Sequence, residues 1–219
     1  MFYRKTCTCI ATLLLTCCCK LAAAQELSLE VKVDVSAAPE LQDWGNSAES
    51  LIRDWYPRLN NLLPTKGVSP PQKITFRIKK SNKGVGATSG NIISVSSSWI
   101  EKHPEDIGLV LHELVHVIQA YPSGAPWWVT EGIADYMRWG IYEGKELTWF
   151  PRPKGKQGFK QGYRAAAGFF LWLESDKAPG IVKKLNSAMR KQQYDPKIFK
   201  TETGQALEAL WFEYTEQLD

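Results

Sequence analysis

The amino-acid sequence predicts an α+β fold in which a small mixed sheet lies beside a helical lobe. Three observations support this. Apolar and polar residues alternate in the first third of the chain, residues 104–120 are apolar around almost the whole helical circumference, and the last third shows helical spacing. No internal repeat or low-complexity linker divides residues 25–219, so they are predicted to form a single domain with a sizeable core.

The sheet is predicted from segments that precede the buried helix. Leu27–Val35 alternates with a period of two, as a half-buried strand does, and Ile74–Ile78 repeats the pattern. Asn91–Ser96 is the third predicted strand, and the glycine-rich loop Gly84–Gly90 introduces it. Between the first two strands, the spacing of apolar residues predicts a helix over Leu41–Leu63, which a proline follows.

Two helices in the middle of the chain are predicted to form a hairpin. Pro104–Ala120 begins with a proline and acidic residues, as helices commonly do, and its apolar residues surround the axis, so it should be buried. Pro126–Tyr136 follows after a short turn and should fold back beside it. Further helices near residues 163–175, 180–192 and 204–217 complete the predicted helical lobe.

Residues 1–24 have the pattern of a secretory signal peptide. A positively charged start precedes an apolar run from Cys9 to Cys19, and an A-x-A cleavage sequence ends at Ala24. The pattern predicts a mature chain that is secreted or periplasmic. Acylation of Cys17, as in a lipoprotein, is a less favoured alternative because Leu15 and Thr16 are a poor approach to such a cysteine.

Removal of this leader would change the charge and the cysteine content of the chain. All five cysteines lie in it, so no disulfide is expected in the mature protein. Three basic residues and no acidic residue are lost with it, which lowers the net charge from +4 to +1. A nearly neutral chain offers no basic stripe for nucleic acid, and the apolar run in the leader is too short to span a membrane. The sequence does not indicate an oligomeric state.

The segment His112-Glu113-Leu114-Val115-His116 predicts a metal site on the buried helix. Histidines four residues apart share one face of a helix, so both can bind one cation. Glu113 projects in another direction, from which its carboxylate can act as a general base toward a water that zinc activates. The alternative is a pair of core histidines. It is less favoured because a buried Glu113 would then need a partner as well.

The next helix offers a third metal ligand. Glu131 and Asp135 are four residues apart, so they share a face that can point at the two histidines. We expect Glu131 to complete a site for one zinc ion and Asp135 to orient a ligating histidine through its other ring nitrogen. The two roles could be exchanged, or both carboxylates could be solvated on an amphipathic helix.

Two motifs, His112-Glu113-x-x-His116-x-x-Gln119 and Trp128–Tyr136, resemble the basic secretory protein family of plants and microbes. The resemblance extends to Gly84–Ser96 and Gly162–Glu174, and it covers most of the chain after the leader. It implies a zincin-like fold and a secreted zinc metallopeptidase of the gluzincin type, with His112, His116 and Glu131 as ligands and Glu113 as general base. The mature chain departs from the family name because it is not strongly basic.

Two further expectations concern the substrate. In zincins an edge strand above the cleft pairs with the main chain of a peptide, and by analogy Ala87, Thr88 and Ser89 are candidate substrate-binding residues. A plain hairpin turn with glycines is the alternative for this segment. Tyr163, at a predicted helix start, is the preferred donor to an oxyanion, and Arg164 is another candidate. Tyr136 is a third candidate for that donor.

The expected activity is therefore hydrolysis of a peptide or protein substrate. The alternative is a secreted, non-catalytic module that binds a cell-surface polymer and whose metal is structural or vestigial. A purely structural zinc site is usually closed by a fourth protein ligand, often a cysteine. Because the mature chain has no cysteine and keeps Glu113, the sequence favours the enzyme.

Overall fold

The computed structural model describes residues 29–81 and 83–216, so the predicted signal peptide lies outside the described residues. The strands are β1 (Glu30–Asp34), β2 (Lys73–Lys79), β3 (Gly86–Ser89) and β4 (Ile92–Ser96). The α-helices are α1 (Gln42–Leu62), α2 (Ser97–Lys102), α3 (Gly108–Gln119), α4 (Trp127–Asp135), α5 (Tyr163–Trp172), α6 (Ile181–Arg190), α7 (Lys197–Thr203) and α8 (Leu207–Glu216). Two π-helical segments, Tyr136–Tyr142 and Leu173–Lys177, continue α4 and α5.

The four strands form one mixed sheet in the order β1-β2-β4-β3. β2 runs parallel to β1 and to β4, whereas β3 is antiparallel to β4. The predicted α+β class, a small mixed sheet beside a helical lobe, is confirmed. Gly86–Ser89 was included in a predicted loop, but it pairs with β4 as an edge strand, and the turn is confined to Gly90 and Asn91. The strand was not predicted because the segment is rich in glycine, which is generally depleted in strands.

The sheet and α1 share one apolar layer. Along β2 the buried side chains are Ile74, Phe76 and Ile78, which alternate with partly exposed or exposed residues as the pleat requires. α1 covers them with a face that includes Ile52 and Leu59, both fully buried. Burying each such side chain contributes roughly 1.5–3 kcal/mol relative to exposure, so this layer anchors the sheet.

Helix α3 lies between the sheet and the helical lobe. Eleven of its twelve residues are buried, which confirms the predicted buried helix. It contacts α1, β3 and β4 on one side and α4 on the other. The predicted start at Pro104 is wrong, since the helix begins at Gly108. Residues 104–107 form a turn instead, and the Asp106 carboxylate accepts hydrogen bonds from Trp99 and Arg138.

Helix α5 is the centre of the helical lobe. It packs against α4 and α8, and its Phe169 lies among the aromatic rings of Trp211 and Tyr214. The predicted helix near residues 163–175 ends at Trp172 as an α-helix and continues as a π turn. Helices α6 and α8 confirm the other two predictions. Within the described residues, no helix has the length and apolar character needed to cross a membrane.

Replacing Gly132 by alanine is expected to destabilise the domain by about 1–3 kcal/mol, because α4 and α5 meet closely there. An added Cβ would lie 2.5 Å from Cβ of Ala166 and 2.8 Å from the Phe170 ring. The strain should outweigh the ~1 kcal/mol that alanine gains in helix propensity. Urea denaturation measures the loss. Gly140→Ala is the matched control, since its nearest contact is 3.4 Å. Equal stability of both variants would contradict the close approach.

Candidate metal centre

Two histidines of α3 and a glutamate of α4 converge on one point. The Nε2 atoms of His112 and His116 are 3.1 Å apart. After α3 the chain turns at Ala120, which has a left-handed conformation, and α4 returns beside α3. Oε2 of Glu131 thereby lies 3.3 Å from Nε2 of His112 and 3.5 Å from Nε2 of His116. The predicted helical hairpin thus brings the three predicted ligands together.

The outer nitrogen of each histidine has its own partner. Nδ1 of His112 is 2.7 Å from Oδ1 of Asp135, the residue predicted to orient it. Nδ1 of His116 is 2.8 Å from Oε1 of Gln119, whose amide nitrogen donates to the carbonyl of Thr130 at 2.9 Å. Both partners offer an acceptor oxygen, so each Nδ1 can hold the proton of a neutral imidazole, and Nε2 is then free to bind a cation at the shared point.

This arrangement fits a metal ion. Two imidazole nitrogens and a carboxylate oxygen face one another at 3.1–3.5 Å, which is repulsive unless a proton or a metal ion lies between them. A tetrahedral centre with bonds of about 2.0–2.1 Å separates its ligand atoms by about 3.3–3.4 Å. The observed spacing matches this value. Within the described part of the chain, these three residues are the group that could hold a metal ion.

The charges of the site favour a cation as well. Burial lowers the pKa of His112, but its hydrogen bonds with Asp135 and Glu131 outweigh burial and raise the pKa to about 9. Burial raises the pKa of Glu131, but its hydrogen bonds with His112 and His116 prevail and lower that pKa to about 2. Glu131 is therefore ionised, and the site prefers positive charge at the point where the ligand atoms meet.

Glu113 lies on α3 but outside this ligand group. Its side chain is buried, and the Thr88 hydroxyl is 2.7 Å from its Oε2 and 3.0 Å from its main-chain oxygen. A Cβ added at Gly86 would lie 2.7 Å from Oε1 of Glu113. Glycine is therefore needed for β3 to pass so close to the carboxylate. The edge strand holds Glu113 in place.

The predicted substrate segment lies on this strand. Ala87 and Thr88 line the cavity above the metal ligands, whereas Ser89 does not. The side chain of Thr88 is directed to Glu113, while Ala87 and Ser89 are exposed. Sequence analysis did not indicate this contact of Thr88, because the two residues are 25 positions apart.

The main chain of β3 has an open edge. Ser96 donates from its N–H to the carbonyl of Val85 at 2.9 Å, which makes these two residues a hydrogen-bonded pair of the antiparallel ladder. Such pairs alternate along a strand. The main-chain groups of Gly86 and Thr88 consequently face away from β4, at the outer edge of the sheet.

Tyr163 stands at the opposite wall of the cavity. Its ring centroid is 6.3 Å from that of His112 and 5.2 Å from that of Trp127, and the residue is 48% exposed. Its φ of 42° is unusual for a residue with a side chain, which places backbone strain beside the site. Burial and the negative charge of Glu131 raise its pKa, so the phenol keeps its proton.

A cavity of about 1100 Å³ is lined by the three candidate ligands, Glu113, Thr88 and Tyr163. Polar and aromatic side chains from the sheet edge, α3, α4, the π turn after α4 and the start of α5 line it. Besides the ligands, its wall includes Trp99, Gln119, Tyr121, Arg138, Trp139, Tyr163 and Arg164. This size is enough for an extended segment of several residues. Tyr136, the third candidate donor, is buried and does not line the cavity.

Gln119 is a residue of the site to which sequence analysis gave no role. It lies three residues after His116, on the same helical face, which is the spacing that could have indicated the contact. A group that orients a ligating histidine typically changes metal affinity 10–100-fold when it is removed. We therefore treat Gln119 as the counterpart, for His116, of Asp135.

Replacing Gln119 by leucine is expected to weaken metal binding by about 10–100-fold, since His116 loses the acceptor for its Nδ1 proton. Gln119→Glu keeps that acceptor but turns a carboxylate oxygen toward the Thr130 carbonyl, so its affinity should fall, though less than that of the leucine variant. Competition with a chromogenic chelator measures both affinities. Equal losses in the two variants would mean that Gln119 only joins α3 to α4.

The fold and the site together define an α+β protein with a partly buried group that could hold a metal ion, in a cleft between a sheet edge and a helical hairpin. A sequence model of the family BSP, described as "Peptidase of plants and bacteria", matches residues 35–214. The chain belongs to this family, which confirms the resemblance found from the motifs. No curated protein and no solved structure gives a significant match.

Proposed function

We propose that this protein is a secreted or periplasmic zinc-dependent peptidase. Membership in a peptidase family supports hydrolysis of peptide bonds. The observation that supports a zinc site is the convergence of three potential ligand atoms, from His112, His116 and Glu131, at 3.1–3.5 Å from one another. Two histidines and one glutamate form a donor set typical of catalytic zinc, with a position left open. Export rests on the predicted signal peptide.

Zinc, when bound, supplies Lewis acidity, which brings the pKa of water near neutrality and polarises a carbonyl oxygen. Glu113 is the residue of this chain that takes the proton of the attacking water and returns it to the leaving amine. Two features support this role. Its carboxylate is not needed as a ligand, and Thr88 hydrogen-bonds one of its oxygens, which orients the other.

The substrate is a peptide that binds in extended form along β3. The main-chain groups of Gly86 and Thr88 at the open edge can pair with such a strand, as in β-augmentation. Ala87 is exposed beside them, so it can contact a substrate side chain without blocking the edge. Pairing of main chain with main chain is independent of sequence, so this contact positions the substrate and does not select it.

Tyr163 is our candidate for donating a hydrogen bond to the oxyanion that forms on the substrate carbonyl. The raised pKa keeps its hydroxyl protonated, and its ring faces His112 across the cavity. The left-handed conformation at the start of α5 fixes the position from which the side chain extends.

Metal analysis together with hydrolysis of denatured casein tests the proposal. We expect one zinc ion per chain, loss of cleavage after chelation, and recovery on adding zinc. Absence of stoichiometric zinc would overturn the metal assignment. Bound zinc without cleavage of casein or of a diverse peptide library would favour the non-catalytic binding module.

A further inference from the structure

One arginine that lines the cavity has no carboxylate partner among the described residues. Two arginines, Arg138 and Arg164, line the cavity. Arg138 is engaged twice, by Asp106 and by Glu143, with Nε 3.3 Å from Oε1 of Glu143. Among the described residues, by contrast, Arg164 has no carboxylate within ion-pair distance, and its side chain is exposed.

Aromatic rings hold Arg164 at the cavity wall. Its guanidinium carbon is 5.6 Å from the ring centroid of Trp149, and Trp149 is tilted against Trp139 at 4.8 Å. Trp139 in turn lies under Arg138 at 3.9 Å. A cation held over an aromatic ring keeps its hydrogen-bond donors available, because the contact uses the face of the guanidinium.

Within the described chain, no ion pair explains the charge of Arg164. It lies in the first turn of α5, where the helix dipole disfavours a positive charge. The acidic groups that line the cavity are occupied elsewhere: Glu131 and Asp135 by the histidines, and Glu113 by Thr88. The planar fork of donors on Arg164 is suited to a carboxylate, which it can bind through two bonds.

We propose that Arg164 determines specificity by binding a carboxylate of the peptide substrate. The carboxylate is either an acidic side chain or the C-terminus of the peptide. This inference rests on the proposed function, since it places a peptide in the same cavity. The peptidase would then prefer acidic or free-acid peptides to their amides, and Arg164 would take no part in stabilising the oxyanion.

Paired peptides test this assignment. Each pair differs only in Glu against Gln at one position, or in a free against an amidated C-terminus. An ion pair of an exposed side chain changes kcat/KM by about two- to fivefold, so wild type should prefer one carboxylate peptide by that factor. Arg164→Gln should lose the preference, so that it cleaves the acid and amide peptides of a pair equally well, and Arg164→Lys should keep part of the preference. Preference for an internal Glu identifies the side chain, and preference for a free end identifies the C-terminus.

Lys145→Gln is the matched control. Lys145 lies at the same distance of 5.6 Å from the Trp149 ring, but it does not line the cavity. Its replacement removes the same charge and should leave the preference intact. The same preference in wild type and in Arg164→Gln, or none in wild type, would overturn the proposal.

A binding measurement separates this proposal from the peptidase itself. Labelled acid and amide peptides are titrated, by fluorescence anisotropy, into zinc-loaded Glu113→Gln protein with and without Arg164→Gln. Tighter binding of the acid peptide that requires Arg164 supports the subsite even if no peptide is ever cleaved. Equal binding of both peptides overturns it, whatever the activity.

Discussion

Replacing Glu113 by glutamine is expected to lower kcat for peptide hydrolysis by about 10²–10⁴-fold, the usual contribution of a general acid and base. Glutamine has almost the same shape and still accepts the hydrogen bond of Thr88, so the packing against β3 should persist. It cannot accept the proton of a water at neutral pH. Because Glu113 is outside the ligand group, the zinc content should stay at the wild-type level.

Steady-state kinetics with a quenched peptide and metal analysis on the same samples provide the measurement. Glu105→Gln is a suitable control, because that side chain is 76% exposed and lies outside the cavity. Thr88→Val removes the orienting hydroxyl alone and should cost less than the loss of Glu113. If Glu113→Gln keeps the kcat of the wild type, Glu113 is not the general base. If the variant loses zinc, Glu113 belongs to the metal site.

The convergence of the three candidate metal ligands could be predicted because their geometry is local. His112 and His116 share a face because of the period of the helix. The short connection to α4 requires α4 to lie beside α3, which brings Glu131 near the two histidines. The position of Asp135 could be predicted in the same way, since it lies four residues after Glu131 on one face of α4. Helical periodicity and a short turn therefore define the group before any long-range contact is known.

The environment of Glu113 could not be predicted in the same way. Thr88 and Gly86 come from a strand about 25 residues earlier, and their approach depends on how the sheet packs on α3. Glycine in this segment indicates a turn as readily as a close contact. Arg164 raises the same difficulty, since only the tertiary structure shows that its charge is unpaired among the described residues while that of Arg138 is paired.

Removing zinc is expected to lower the midpoint of thermal unfolding by roughly 8–16 °C. Free zinc at a thousand times its dissociation constant stabilises a folded protein by about 4 kcal/mol. For a domain of this size each kcal/mol shifts the midpoint by about 2–4 °C. The ligand atoms repel one another without a cation, and α3 and α4 carry them on elements that belong to the core. Loss of the metal should therefore lower the stability of the whole domain.

Differential scanning fluorimetry with zinc and with a chelator measures this shift. His116→Ala should abolish it, and its midpoint should stay near that of the zinc-free wild type, because one of the three mutually repelling groups is gone. His103→Ala is the matched control, since the third histidine is partly exposed, packs against Trp99 and lies outside the ligand group. A full zinc-dependent shift in His116→Ala would place the metal elsewhere. A shift absent from wild type would mean that the convergent lone pairs do not bind zinc.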